Sequence, residues 1–187
     1  MTKRIIYFFG KLRAKKIVAK VYPFLEQSQT IIDIGSGTGN VAELLKKMGK
    51  KVTPLDVQDL SFAPGITPII YNGEKIPFPD STFDAALLVC VLHHTKNPEN
   101  LLKEAKRVAK KIIVVEDIYK SRAHKMMTNF FDSLLSLEFF KNPHSNKTDK
   151  EWRELLKKLG LELESSEYYT SFIVFRHALY SLLPLPR

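Results

Sequence analysis

From residue 30 to residue 118, short apolar runs alternate with stretches whose apolar residues return every three or four positions. Thr30-Ile31-Ile32-Asp33-Ile34 predicts a buried strand, closed by the glycine cluster Gly35-Ser36-Gly37-Thr38-Gly39. Val41, Leu44, Leu45 and Met48 then recur at helical spacing until Gly49 supplies a stop. Lys51–Asp56 reads as a second strand, in which Pro54 suits an edge position better than a central one. Pro68–Tyr71, Ala85–Val91 and Ile112–Val115 read as strands three, four and five. Between the last two, Pro98 opens a helix that runs to Ala109. Uninterrupted apolar strands are covered on both faces, as in a parallel sheet with helices on either side.

The two ends depart from this rhythm. Residues 11–22 predict a helix ended by Pro23, with a looser apolar leader before it. Residues 120–141 carry Met126, Met127, Phe130 and Phe131 among other large apolar residues, which makes a helix too apolar to stand exposed. Thr148-Asp149-Lys150-Glu151 has the form of a capping box, and Gly160 closes the helix it opens. Leu161–Tyr169 and Ser171–Arg176 follow so closely that a hairpin is the economical connection. The expected fold class is α/β: a doubly wound, mostly parallel seven-stranded sheet with a C-terminal antiparallel hairpin and helices on both faces.

Composition narrows this to an ordinary globular domain. The chain has 187 residues, 44% hydrophobic and 26% charged, which excludes a disordered tail, a fibre and a disulfide-framed mini-protein. Cys90 is the single cysteine, so no internal disulfide forms, and its neighbours in LLVCV suggest a buried small hydrophobe. No run approaches the ~18–20 apolar residues of a membrane span. The apolar run Ile5–Phe9 stops at Gly10 and Lys11, short of a signal peptide, so the expected location is cytoplasmic. The net charge is +9, and residues 1–25 hold seven basic residues and no acid. Such a segment is either a solvated surface or a contact for nucleic acid, an anionic surface or an acidic partner.

The chemistry begins at the glycine cluster. Strand, glycine loop and helix together let a backbone approach a ligand closely and aim helix N–H groups at it. Gly35-x-Gly37-x-Gly39 departs from the dinucleotide fingerprint, whose third glycine position falls here on Asn40, and from the P-loop, which needs Gly-Lys-Ser/Thr. Asp56 ends the second strand 19 residues after Gly37, where a carboxylate can accept both hydroxyls of a ribose. Asn72, Gly73 and Glu74 follow the third strand, where an amide or carboxylate can meet the amino edge of an adenine.

Asp33-Ile34-Gly35-Ser36-Gly37-Thr38-Gly39 resembles the first motif of class I S-adenosylmethionine-dependent methyltransferases. Glu74–Asp84, read EKIPFPDSTFD, resembles the segment leading into strand four in the branch called methyltransferase type 11, and Leu92-His93-His94 resembles its ending of that strand. The resemblance covers residues 28–118 and implies a Rossmann-like fold with S-adenosyl-L-methionine as cofactor. It implies that Asp33, Gly35, Ser36, Gly37 and Gly39 hold the methionine part, Asp56 the ribose diol, and Val57 one face of the adenine. Asn72 and Gly73 would face the adenine edge, with Asn72 standing where relatives often have Asp. Val89 and Cys90 would line the site.

Methyl transfer from a sulfonium is an in-line displacement, so the protein chiefly holds the acceptor about 3–3.5 Å from the methyl carbon and excludes water. A base is needed only where the acceptor must lose a proton early. His93 and His94 are candidates, with Glu116 and Asp117 as rivals at the end of strand five. His124, His144 and His177 are scattered without metal-ligand spacing, so no metal is expected.

The expected organisation is one domain, 1–187, with a basic helical segment at 1–27 and a helical lid at 119–147. An apolar lid favours a small organic or lipid-like acceptor, and the chain is expected to be a monomer or homodimer. Nucleic acid or protein as acceptor, a cofactor-binding protein without catalysis, and NAD-dependent redox chemistry are the competing readings. The last lacks both the third glycine and a recognisable catalytic pair.

Overall fold

The structure is a computed structural model that describes residues 3–119, 147–171 and 175–185. Helix α1 (Lys3–Leu25) leads into β1 (Thr30–Ile34), α2 (Asn40–Lys47), β2 (Lys51–Asp56) and the two-residue β3 (Ile69–Ile70). Next come β4 (Phe83–Val89), a single 3₁₀ turn (Leu92–His94), α3 (Pro98–Val108) and β5 (Ala109–Ile118). After residue 147 follow α4 (Asp149–Lys158), β6 (Leu161–Ser171) and β7 (Phe175–Pro184). The strands form one sheet of seven in the order β3-β2-β1-β4-β5-β7-β6. Strands β1 to β5 pair in parallel, and β7 enters antiparallel between β5 and β6. This is the Rossmann-like, doubly wound arrangement with its C-terminal hairpin that the sequence pattern predicts.

Local chemistry fixes the helix ends. The Asn97 side chain accepts from the Asn100 amide, Pro98 takes the first position of α3, and Lys106 and Arg107 occupy the last turn. Thr148 and Glu151 make the reciprocal capping box of α4. Each helix buries one stripe. Leu101, Leu102 and Ala105 of α3 join Trp152, Leu155 and Leu156 of α4 against Ile32, Ile34, Ala86, Leu88, Ile112 and Val114 on one sheet face. Ile17, Val18, Val21 and Leu25 of α1 join Ala42 and Leu45 of α2 against Ile31, Leu87, Ile113, Val115 and Leu179 on the other.

Several boundaries differ from the sequence expectation. Helix α1 starts at Lys3 and passes through Pro23, because the leader packs on α2: the Tyr7 hydroxyl donates to Glu43, and Lys11 donates to Tyr7. A proline so near the end of a helix costs one backbone hydrogen bond, and the burial of Leu25 offsets it. Strand β4 ends at Val89, since Cys90 turns to φ 51°, while β5 runs ten residues. The hairpin turns later than expected: β6 runs on through Thr170 to Ser171, and β7 spans Phe175–Pro184 because it sits between two partners and buries Ala178–Leu182. Pro54 is accommodated on an inner strand. The Leu55 carbonyl faces β1 and that of Asp56 faces β3, so the Pro54 nitrogen lies on the β3 side, below the two residues that pair there. The helix expected over 120–141, and with it all of the lid expected at 119–147 except its two end residues, falls outside the described residues. Ile118 and Lys147, either side of that segment, meet in an isolated parallel bridge at the end of β5.

The EKIPFPDSTFD segment is a brace. Arg107 donates to the carbonyls of Ile76 and Phe78 and to the carboxylates of Glu104 and Asp80. Asp84 accepts from the amides of Gln29 and Thr30 and from the Thr30 hydroxyl, contacts that hold its carboxyl well below the usual range. Asp84→Ala is therefore expected to destabilise the fold by about 2 kcal/mol in urea unfolding, since it strips acceptors from two strand-entry amides; an unchanged midpoint would remove this brace from the account.

Candidate functional site

Strand order reverses between β1 and β4, and in open α/β sheets the crevice at such a point receives the ligand, outside the carboxyl ends of the strands. The glycine loop lies there. Gly35, Gly37 and Gly39 all have positive φ, at 72°, 50° and 75°. A Cβ on Gly35 would stand 2.3 Å from Val91 Cγ2, whereas one on Gly37 would meet nothing within 4 Å, so the loop is packed at its base and open at its tip.

Side chains alternate along each strand, and Asp33, Asp56, Val89, Asp117 and His177 fall on the α1–α2 face by their spacing from Ile31, Val52, Leu87, Val115 and Leu179. Asp56, 8% exposed, accepts from the Gly37 amide at 2.8 Å and from the Val57 amide at 2.7 Å. Asp33 is 2% exposed, and its Oδ2 has no hydrogen-bond partner among the described residues. Burial first, then the nearby Asp56 charge, push the Asp33 carboxyl up to about 7. Three more buried oxygens around the loop are equally unmatched among the described residues: Ser36 Oγ, Asn40 Oδ1 and Ser61 Oγ. Such atoms are costly unless a ligand or water meets them.

The remaining cofactor candidates line the same edge. Val57 is 55% exposed and abuts Gly73, where a Cβ would come within 3.3 Å of it, which leaves an apolar surface beside Asp56. Asn72 is exposed and turns its carbonyl to the amides of Glu74 and Lys75, so it shapes the turn. Val89 and Cys90 are half-buried at the end of β4.

The base candidates sit differently. His93 is 1% exposed, and its Nδ1 lies 2.5 Å from the buried Glu116, whose other oxygen accepts from the Leu92 amide. That pair ties the turn after β4 to β5. His94 is half-buried, its ring centroid 4.0 Å from that of His93. Asp117 is buried and contacts His177 Nδ1 at 2.5 Å, a contact that holds its carboxyl low against the opposing effect of burial. Nothing in the linear pattern marks His177 as a neighbour of Asp117, because the pairing depends on the β5–β7 register.

The basic segment is partly spent inside the molecule. Lys11 serves Tyr7 and Glu43, and Lys20 pairs with Glu167, while Lys15 and Lys16 stay exposed near Phe8, Phe9 and Leu12. No helix among the described residues is long and apolar enough to cross a membrane.

Residues 32–115 match the model of the methyltransferase domain, type 11. This stretch is similar to a methyltransferase domain. An uncharacterised protein of Methanocaldococcus jannaschii is 33% identical to the chain over 135 residues, 70% of this chain and 63% of that protein. The demethylmenaquinone methyltransferase of Tropheryma whipplei is 34% identical over 91 residues, 44% of this chain and 38% of that enzyme. The chain thus spans less than two thirds of the length of these curated relatives. The structure of a SAM-dependent methyltransferase from Methanosarcina mazei superposes with a TM-score of 0.68 at 18% identity, covering 89% of this chain and 97% of that one, and shares the fold. The methyltransferase domain takes S-adenosyl-L-methionine as its cofactor. The unmatched oxygens around the glycine loop and the buried acid at Asp33 fit a ligand that carries an ammonium group.

Asp33 makes a pH-dependent prediction. Its carboxyl is raised from 3.8 to about 7 in the folded chain, so between those values the folded state keeps a proton that the unfolded state has lost. Stability from this group therefore falls as pH rises from about 4 to 7 and stays low above, by about 4 kcal/mol at most. Asp33→Asn is expected to stabilise the ligand-free protein at pH 8 and to change little at pH 4, read as thermal midpoints; equal shifts at both pH values would contradict it.

Proposed function

We propose that the protein transfers the methyl group of S-adenosyl-L-methionine to a small organic or lipid-like acceptor. The observation that carries this is the set of unmatched acceptors around an open glycine loop, with two acids at neighbouring strand ends, inside a methyltransferase domain. When bound, the cofactor supplies an electrophilic methyl group on a cationic sulfur. Asp33 would lose its proton as it meets the ammonium of the methionine part, so cofactor affinity would rise with pH up to about 7. Asp56 would turn its remaining lone pairs to the ribose hydroxyls while its amide contacts hold the loop. Val57 and Gly73 would bound the adenine, and Val89 and Cys90 would offer backbone and small side chains.

Where the acceptor carries a proton, His94 would remove it. Of the four base candidates it is the one that is only half-buried, whereas His93 and Glu116 are committed to each other and Asp117 to His177. The T. whipplei relative's name, a demethylmenaquinone methyltransferase, supports an apolar ring compound as the first acceptor class to try. The exposed lysines and phenylalanines of α1 support a second reading, in which the acceptor or its carrier presents an anionic surface.

The test is formation of S-adenosylhomocysteine with quinols, phenols, thiols and amines. Turnover with a small apolar acceptor is expected; turnover with nucleic acid or protein alone would transfer the proposal to the second reading. Asp56→Ala is expected to weaken cofactor binding more than about tenfold, because a buried acceptor for two hydroxyls is lost. Near-normal affinity would mean that the ribose sits elsewhere.

A further inference from the structure

The C-terminal edge of the sheet brings together three donor groups that lie far apart in sequence. Cys90 follows the last residue of β4, Asp117 stands near the end of β5, and His177 lies directly opposite Asp117 in β7. One donor atom from each lies within 4.8 Å of the other two. Asp117 and His177 are 2% and 3% exposed, while Cys90 is half-buried, so the cluster is closed on two sides and opens beside the thiol. Asp117 and His177 sit opposite each other on neighbouring strands, and Cys90 directly follows the end of a third, so the arrangement depends on the sheet register together with the turn at Cys90.

A second observation points to a missing occupant. Tyr169 pairs with His177 across the hairpin, and their rings pack at 4.8 Å between centroids. Its hydroxyl is buried and has no hydrogen-bond partner among the described residues. Burial, then the charges of Cys90 and Asp117, raise its pKa against the pull of Arg13, which places the hydroxyl beside the same cluster. A buried hydroxyl of this kind is satisfied by a water or ligand held next to it.

We propose that Cys90, Asp117 and His177 bind a single divalent ion of the zinc type, with a fourth position open on the Cys90 side.

Thiolate, imidazole and carboxylate are the usual zinc donors, and three protein ligands with one open position is the pattern of a catalytic site. Bond lengths of about 2.0–2.3 Å set tetrahedral donors roughly 3.3–3.7 Å apart, so the Asp117–His177 contact opens, and the thiol, within 4.8 Å of both, closes by at most about 1.5 Å. The thiolate and carboxylate together match the ion's charge, and Arg13 acts on Asp117 in the metal-free form. The Tyr169 hydroxyl would hydrogen-bond to whatever fills the open position. Sequence spacing hid this group because no two of the three lie within one turn or one strand. Its use, unlike its existence, rests on the methyl-transfer reading: an acceptor thiol or hydroxyl coordinated there would lose its proton near neutral pH.

The experiment is titration of chelator-treated, reduced protein with Co²⁺ as an optical probe, followed by displacement with Zn²⁺. One equivalent should give a thiolate-to-cobalt charge-transfer band, and Zn²⁺ should abolish it and slow alkylation of Cys90. Cys90→Ser should remove the band, and His177→Gln should weaken binding at least about 100-fold, with each variant's circular dichroism reporting that it folds. Absence of the band in the wild-type protein, a band that survives Cys90→Ser, or Cys90 alkylation indifferent to Zn²⁺ would overturn the proposal. Should Cys90→Ser fail to fold, His177→Gln decides alone. Titration with S-adenosylhomocysteine in parallel separates the two readings: cofactor binding without metal sinks only this inference, and metal binding without cofactor sinks only the methyl-transfer reading.

Discussion

Asp33 and Asp56 stand at the ends of adjacent parallel strands, on one face, at 2% and 8% exposure. Two carboxylates this deep and this close do not both ionise without help, and the rest of the site is arranged around that fact. The glycine loop gives its Gly37 amide to Asp56 and none to Asp33. One acid is thereby held in place as an acceptor, and the other keeps a proton until a cation displaces it. Positive φ at Gly35, Gly37 and Gly39 is what bends the chain tightly enough for that amide to reach across from β1 to β2.

The sheet supplies the register and the helices supply the cover. Helix α1 packs on α2 and on the face where the acids lie, with Gly10 close enough to Asn40 that a Cβ would stand 2.6 Å from its amide nitrogen. The opposite face carries the brace built by Arg107, Glu104 and Asp84, which fixes where β4 begins. The Glu116–His93 contact, on the α3 side, fixes where β4 ends. Cys90, immediately after that end, is thus set at a defined height against β5 and β7.

Most of the sheet was legible in the sequence, because its central strands are unbroken apolar runs and its helices carry their own caps, as at Asn97 and Thr148. The strand ends were less legible: β4 stops at Val89 although Cys90 and Val91 continue the apolar run, since the turn is set by backbone conformation rather than by polarity. The first helix was misjudged for a related reason, as Pro23 reads as a stop and the packing of Tyr7 on Glu43 is a long-range contact. In the site, Asp33, Asp56 and the glycine loop follow from local pattern, whereas the grouping of Cys90, Asp117, His177 and Tyr169 follows only from strand pairing. The EKIPFPDSTFD motif carries a family resemblance in sequence, while the strut roles of its Asp80 and Asp84 depend on contacts with Arg107 and Thr30 far along the chain.

The most direct test of the central claim is calorimetric titration of the purified protein with S-adenosylmethionine, S-adenosylhomocysteine and NAD side by side. Micromolar binding of the two adenosyl thio-compounds, one per chain, with no heat from NAD, is the expected result. Binding of NAD, or of none of the three, would contradict it and leave the glycine loop as a strand-to-helix turn.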